Sequence, residues 1–190
     1  MSPIPSRPRG RSGPDSGTPT VFVSDEQQRH PVDVERWSRL AEAVLGASGI
    51  EGEAELSVIF VDEAHMADLN QRHLGHEGPT DVLSFPIDGT PDPMPTGLPA
   101  AGGPAFDADD QPLLLGDVVV CPAVAAEQAP DHAGSYDDEV ALLIVHGVLH
   151  VLGMDHAEDD ERTAMQARER DLLERFHGPL ARDPWVAESR

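Results

Sequence analysis

The sequence predicts an α+β domain in which a small mixed sheet of about four strands packs with several helices around a central buried helix carrying an H-x-x-x-H pair. Three observations predict it. Four short runs rich in Val, Ile, Leu or Phe are bounded by Gly, Pro or acidic residues. Amphipathic stretches with apolar residues three and four apart lie between them, and one later run is apolar on nearly every face. A chain of 190 residues with 39% apolar composition suffices for one domain of this kind.

In chain order, residues 1–17, rich in Pro, Gly, Ser and Arg, read as a disordered N-terminal tail, and Val21 to Ser24 as the first strand. Val34 to Leu45 sets Val34, Trp37, Leu40, Ala41, Val44 and Leu45 on one helical face, which predicts core packing. Leu56 to Val61 is the second strand, followed by a helix over Glu63 to Leu74 with Met66, Leu69 and Leu74 inward. Val82 to Ile87 and Leu113 to Pro122 are the remaining strands. The Pro-, Gly- and Asp-dense residues 88–112 between them read as a flexible surface insertion, not a linker, so the folded domain spans 18–177. Ser135, followed three residues on by Asp138, resembles a capping box and opens the apolar helix that runs through Val140 to Leu152. Glu158 to Phe176 begins with acids and carries Arg168, Arg170 and Arg175 late, the order that complements a helix dipole. Residues 178–190 read as a C-terminal tail.

Thirteen basic against 35 acidic residues give 13 − 35 = −22, and every basic residue is arginine. Such a charge repels polyanions at long range, so a nucleic-acid function needs a local arginine patch, a metal or a partner. One cysteine, Cys121, excludes an internal disulfide, and its apolar surroundings suit a buried small hydrophobe in a reducing compartment. The first 20 residues lack the apolar stretch of a signal peptide, and no run approaches the length of a membrane span. A cytoplasmic protein with no membrane partner is expected.

The chemistry lies in His146-Gly-Val-Leu-His150-Val-Leu-Gly153-Met-Asp155-His156. Histidines four apart share one helix face, and Gly153, free to take the left-handed conformation, can swing His156 back toward them. Three neutral imidazoles leave the fourth tetrahedral position of one zinc ion open, the pattern of a catalytic rather than a structural site. Rings placed in the most apolar helix of the chain cost desolvation, which a metal would offset. The spacing matches that of metzincin proteases, but the position of their general-base glutamate is Gly147 here, which forgoes a factor of about 10²- to 10⁴-fold.

Together with Pro79-Thr80-Asp81-Val82-Leu83-Ser84-Phe85-Pro86 and Leu115-Gly116-Asp117-Val118-Val119-Val120-Cys121, the stretch HGVLHVLGMDH resembles the YbeY family of bacterial metal-dependent endoribonucleases. The resemblance spans roughly Leu56 to His156. It implies a single α+β domain, one zinc ion held by His146, His150 and His156, which are then also the catalytic set, and an RNA substrate. It further implies a role in 16S ribosomal RNA maturation and ribosome quality control, with the small ribosomal subunit and assembly factors as partners. Family members often carry an arginine where this chain has Leu74. Arg72 stands two residues earlier, and residues two apart on a helix point in different directions.

Among other residues, Asp155 is the candidate to orient a ligand histidine, and Ser84 and Asp81 are candidates to line a substrate groove. His73 and His76 read as solvated side chains of an exposed loop, and His30, His65, His132 and His177 as isolated. Arg7, Arg9 and Arg11 form a basic cluster in the N-terminal tail. A metallopeptidase-like hydrolase using another base, and a non-catalytic zinc-stabilised ribosome assembly factor, remain open alternatives, as do the oligomeric state and the cleavage site.

Overall fold

The computed structural model describes residues 17–87 and 112–185. The expected N-terminal tail, its arginine cluster and the expected insertion therefore lie almost wholly outside the described residues. Four strands, β1 (Thr20–Asp25), β2 (Ala54–Phe60), β3 (Val82–Pro86) and β4 (Leu113–Val120), form one sheet in the order β1-β2-β4-β3. β1 and β4 both run parallel to β2, while β3 lies antiparallel to β4 at the edge, so the sheet is mixed as the sequence predicts.

Among the described residues five α-helices complete the domain, α1 (Val34–Ala47), α2 (Glu63–Leu74), α3 (Pro122–Gln128), α4 (Tyr136–Val151) and α5 (Asp159–Phe176), with a short 3-10 turn at Ala129–Asp131. α3 departs from the sequence reading, which ran the fourth strand through Pro122. The strand stops at Val120, and Pro122 instead occupies the first turn of α3, where a missing N–H costs nothing and φ is already helical.

Side-chain alternation divides the interior. Ala54, Leu56, Val58 and Phe60 of β2, with Leu115, Val118 and Val120 of β4, face a large core shared with Trp37, Leu40, Ala41, Val44 and Leu45 of α1. Val119 and Cys121 point the other way, onto Met66 of α2, Val61 and Leu83. Val34 and Leu74, both expected inward, are 40% and 56% exposed because each sits in a terminal turn beyond its helix's buried stripe. At Gly116 the register of β4 against β2 shifts, and φ is +145°. A Cβ there would lie 2.3 Å from the Phe85 carbonyl oxygen, so only glycine lets β3 close against the bulge.

α4 is the centre of the molecule. It packs on β3 and β4 with one side and on α1, α3 and α5 with the others, and from Val140 to Val145 every residue is buried. Ser135 caps it by accepting from the Asp138 N–H at 3.2 Å. The reciprocal arm of a capping box is absent, because the Asp138 carboxylate accepts instead from His177 Nε2 at 2.8 Å and from the Ala181 N–H at 3.1 Å. Those bonds correct the expectation of a tail beginning at Gly178. Residues 178–185 dock on the helices, with Leu180 and Trp185 packed against the core. No helix among the described residues is long and apolar enough to cross a membrane.

Candidate metal centre

The last two turns of α4 place His146 and His150 side by side, and the helix ends at Val151. Gly153, at φ +86°, reverses the chain, and the following residues bring His156 back over the pair. The ring centroids lie 4.5 Å apart for His146 and His150, 4.9 Å for His150 and His156, and 5.5 Å for His146 and His156. One nitrogen from each ring falls within 4.8 Å of the other two. The structure thus brings together the three histidines that the spacing singled out.

The donor chemistry fits a cation. Burial, reinforced by the neighbouring His146 and His156 rings, pulls the pKa of His150 down to about 4, so its ring is neutral near neutral pH. His146 donates from Nδ1 to Glu169 Oε1 at 2.7 Å, which fixes its tautomer and turns the Nε2 lone pair toward the cluster. That Nε2 faces His150 Nε2 at 3.1 Å. Two lone pairs so close need a proton or a cation between them, and a tetrahedral ion with bonds of about 2.05 Å holds its donors about 3.3 Å apart.

Glu169, on α5 and only 3% exposed, was invisible to sequence reasoning because it stands in a run of alternating acids and arginines 23 residues from its partner. Its other oxygen accepts from Trp185 Nε1 at 3.0 Å. The role expected of Asp155 therefore falls to Glu169. Asp155 Oδ1 accepts from the backbone N–H of His156 at 2.7 Å, so it shapes the returning turn and does not orient a ring.

The histidines stand between two cavities. One, of about 450 Å³, is lined by His73, Leu74, the β3 residues Val82 to Pro86, His146, His150 and Asp155 among others. The other, of about 230 Å³, lies between Asp81, His132, His146, His156, Arg162, Glu169 and Trp185. Ser84 sits on the wall of the first, its hydroxyl donating to the Gly147 carbonyl at 3.1 Å. Asp81 sits on the wall of the second, its Oδ1 accepting from the Val82 N–H and its Oδ2 from Gln128 Nε2, both at 2.8 Å. Arg72 is apart from both, paired with Asp68 at 2.8 Å on the exposed side of α2. It does not take the place of the arginine the resemblance implies.

Three further histidines depart from expectation. His73 belongs to the last turn of α2, not a loop, and packs edge-on against Phe85 with ring centroids 4.7 Å apart. His177 joins Asp138, and His132 donates from Nδ1 to Glu139, whose carboxylate is fully buried. Glu139 also accepts from the Ala133 N–H and from Gln128 Nε2, which links it to Asp81. His132 lies before α4 begins and Glu139 within its first turn, so their approach depends on the intervening turn and not on a helical or strand period.

Gly147 explains the missing base. Its face of α4 lies against the sheet, and a Cβ there would stand 2.5 Å from Val118 Cγ1. A glutamate at this position would enter the core and not the cleft.

Residues 22–177 match a family model described as endoribonuclease YbeY. The endoribonuclease YbeY of Frankia casuarinae is 46% identical over 158 residues, covering 83% of this chain and 75% of that protein. That of Thermobifida fusca is 48% identical over 143 residues, covering 75% of this chain and 85% of its own length. Among solved structures, the solution structure of a Thermotoga maritima protein superposes with a TM-score of 0.53 at 23% identity, covering 89% of this chain and 93% of the other, which supports the fold.

Proposed function

Since the chain belongs to the endoribonuclease YbeY family, we propose that it cleaves RNA phosphodiester bonds with one zinc ion held by His146, His150 and His156. The observation that carries this reading is the convergence of three imidazole nitrogens at the junction of two open cavities, one ring held neutral by burial. Bound there, zinc supplies Lewis-acid polarisation of a phosphodiester oxygen and charge stabilisation in the transition state.

The remaining work belongs to the chain. Glu169 holds the His146 ring in one tautomer and orientation. Arg162, half-exposed on the wall beside His156, offers a cation to a backbone phosphate, though Asp159 at 3.2 Å shares it. Leu142, Leu143, Val82 and Met165 give the smaller cavity an apolar floor against which a nucleotide excludes water. The absence of a carboxylate at Gly147 favours phosphodiester over peptide chemistry, since no glutamate stands beside the first histidine as in the metzincin peptidases.

The proposal extends to ribosomal RNA, with 16S maturation and quality control as the process, the small ribosomal subunit and assembly factors as partners, and the cytoplasm as the compartment. A net charge of −22 gives no long-range attraction to RNA, so docking through protein partners accounts for encounter. The test pairs zinc analysis with cleavage of a structured ribosomal RNA fragment for the full chain and for His150→Ala. Stoichiometric zinc and cleavage in the first, and loss of both in the second, are expected. Cleavage persisting unchanged in a zinc-free variant overturns the proposal.

A further inference from the structure

We infer that Trp185, at the end of a docked C-terminal strap, is a positioning residue that acts through Glu169 on His146 and so sets how tightly the three histidines hold their ion. The inference rests on the metal reading above. Glu169 is a buried carboxylate with one oxygen on His146 Nδ1 at 2.7 Å and the other on Trp185 Nε1 at 3.0 Å. The two bonds pull from opposite ends of the carboxylate, so its rotation is fixed only when both are made. Without the indole N–H, Oε2 loses its partner in a setting 3% exposed, and the carboxylate turns to recover one. The His146 ring, which leans on Oε1, loses its orientation with it.

The strap is built to deliver that indole. The Asp138 carboxylate accepts the Ala181 N–H at 3.1 Å, and the Arg182 N–H reaches the Ala133 carbonyl at 2.9 Å. Gly134, at φ +98°, clears the way, because a Cβ there would lie 2.9 Å from Ala181 Cβ. Arg170 then pairs with Asp183 at 3.2 Å and covers a face of the Trp185 ring at 4.6 Å. Pro184 and Trp185 form part of the wall of the smaller cavity, so the strap both shapes the cleft and steadies a ligand in it. The strap lies beyond residues 22–177, the range that matches the family model.

The test measures zinc affinity of the full chain by competition with a chromogenic chelator, for the unaltered protein, Trp185→Phe, Glu169→Gln and the double variant. Trp185→Phe keeps an aromatic ring and removes the N–H, and is expected to weaken zinc binding about tenfold, the lower end of the range for outer partners of metal ligands. In the Glu169→Gln background the same change is expected to alter affinity less than twofold, because the path it uses is gone. A merely structural role for Trp185 would lower affinity equally in both backgrounds, and that result overturns the inference. Unaltered protein that takes up no zinc overturns the metal reading as well, whereas zinc uptake with no effect of Trp185→Phe overturns this inference alone.

Discussion

Gly147→Ala adds one methyl group at the point where the helix bearing the histidines meets the sheet. A Cβ at that position would stand 2.5 Å from Val118 Cγ1 and 3.3 Å from both Val118 Cγ2 and Ser84 Oγ. Val118 is 0% exposed, β-branched and held within β4, so it cannot rotate away, and the helix or the strand must shift. Overpacking of this kind costs about 1–3 kcal/mol, while replacing glycine by alanine within a helix recovers about 1 kcal/mol. The net loss is therefore roughly 0–2 kcal/mol, which for a domain of this size lowers Tm by up to about 8 °C. Thermal unfolding followed by far-UV circular dichroism, with chelator present so that metal does not contribute, reads the effect directly. Val118→Ala supplies the control, since removing both methyls opens the space and Gly147→Ala should then cost less than about 0.5 kcal/mol. A single variant melting above the unaltered protein would falsify the close-approach argument.

Other consequences are open to measurement. Glu139→Ala strips a buried carboxylate from His132, Gln128 and the Ala133 N–H, and should destabilise the protein by about 3 kcal/mol in urea unfolding; a loss under about 1 kcal/mol would mean the network is dispensable. Burial works to raise the pKa of Asp138, but hydrogen bonds from His177, Ser135 and the Ala181 N–H outweigh it and hold the carboxyl below its usual range. A carboxyl lowered on folding contributes stability that is complete above its unfolded pKa of about 3.9 and vanishes as pH falls through the folded value. The stability gap between the unaltered protein and Asp138→Asn should thus stay level from about pH 5 to 6 and narrow below about pH 4, and a gap that widens on acidification contradicts the assignment. RNA affinity should depend weakly on salt, with a log–log slope shallower than about −3, because few arginines face the cleft; a slope near −7 would indicate about ten phosphate contacts and a binding surface elsewhere.

Much of this architecture was legible because local patterns and tertiary demands agree. The helical face of Trp37, Leu40, Ala41, Val44 and Leu45 and the alternation of β2 are each a periodicity that burial then uses. His146 and His150 were legible for the same reason, as helical spacing alone sets them side by side. What stayed hidden lies across space. Glu169 resembles every other acid in the charged sequence of α5, and only the packing of α5 on α4 makes it the partner of His146. Trp185 follows a Gly-Pro pair that reads as the start of a tail, yet a carboxylate freed from a capping box holds that segment in place. α3 carried a readable signal in Pro122 followed by an alanine-rich stretch, but the preceding valines drew the strand through it.

The sheet order places β4, the last strand among the described residues, in the interior between β2 and β3. During synthesis the chain therefore emerges with β1, β2 and β3 made but the sheet's middle seat vacant, and among the described residues the strand that pairs with β3 arrives only when Leu113–Val120 leaves the exit tunnel. Closure of the sheet waits on a distant segment, which slows folding and leaves strand edges bare meanwhile. Because α4 follows β4 in the chain and packs on both β3 and β4, the helix bearing His146 and His150 docks on a sheet whose described strands have already been made. An ion held by those histidines would then join a scaffold already closed, and would not be its nucleus.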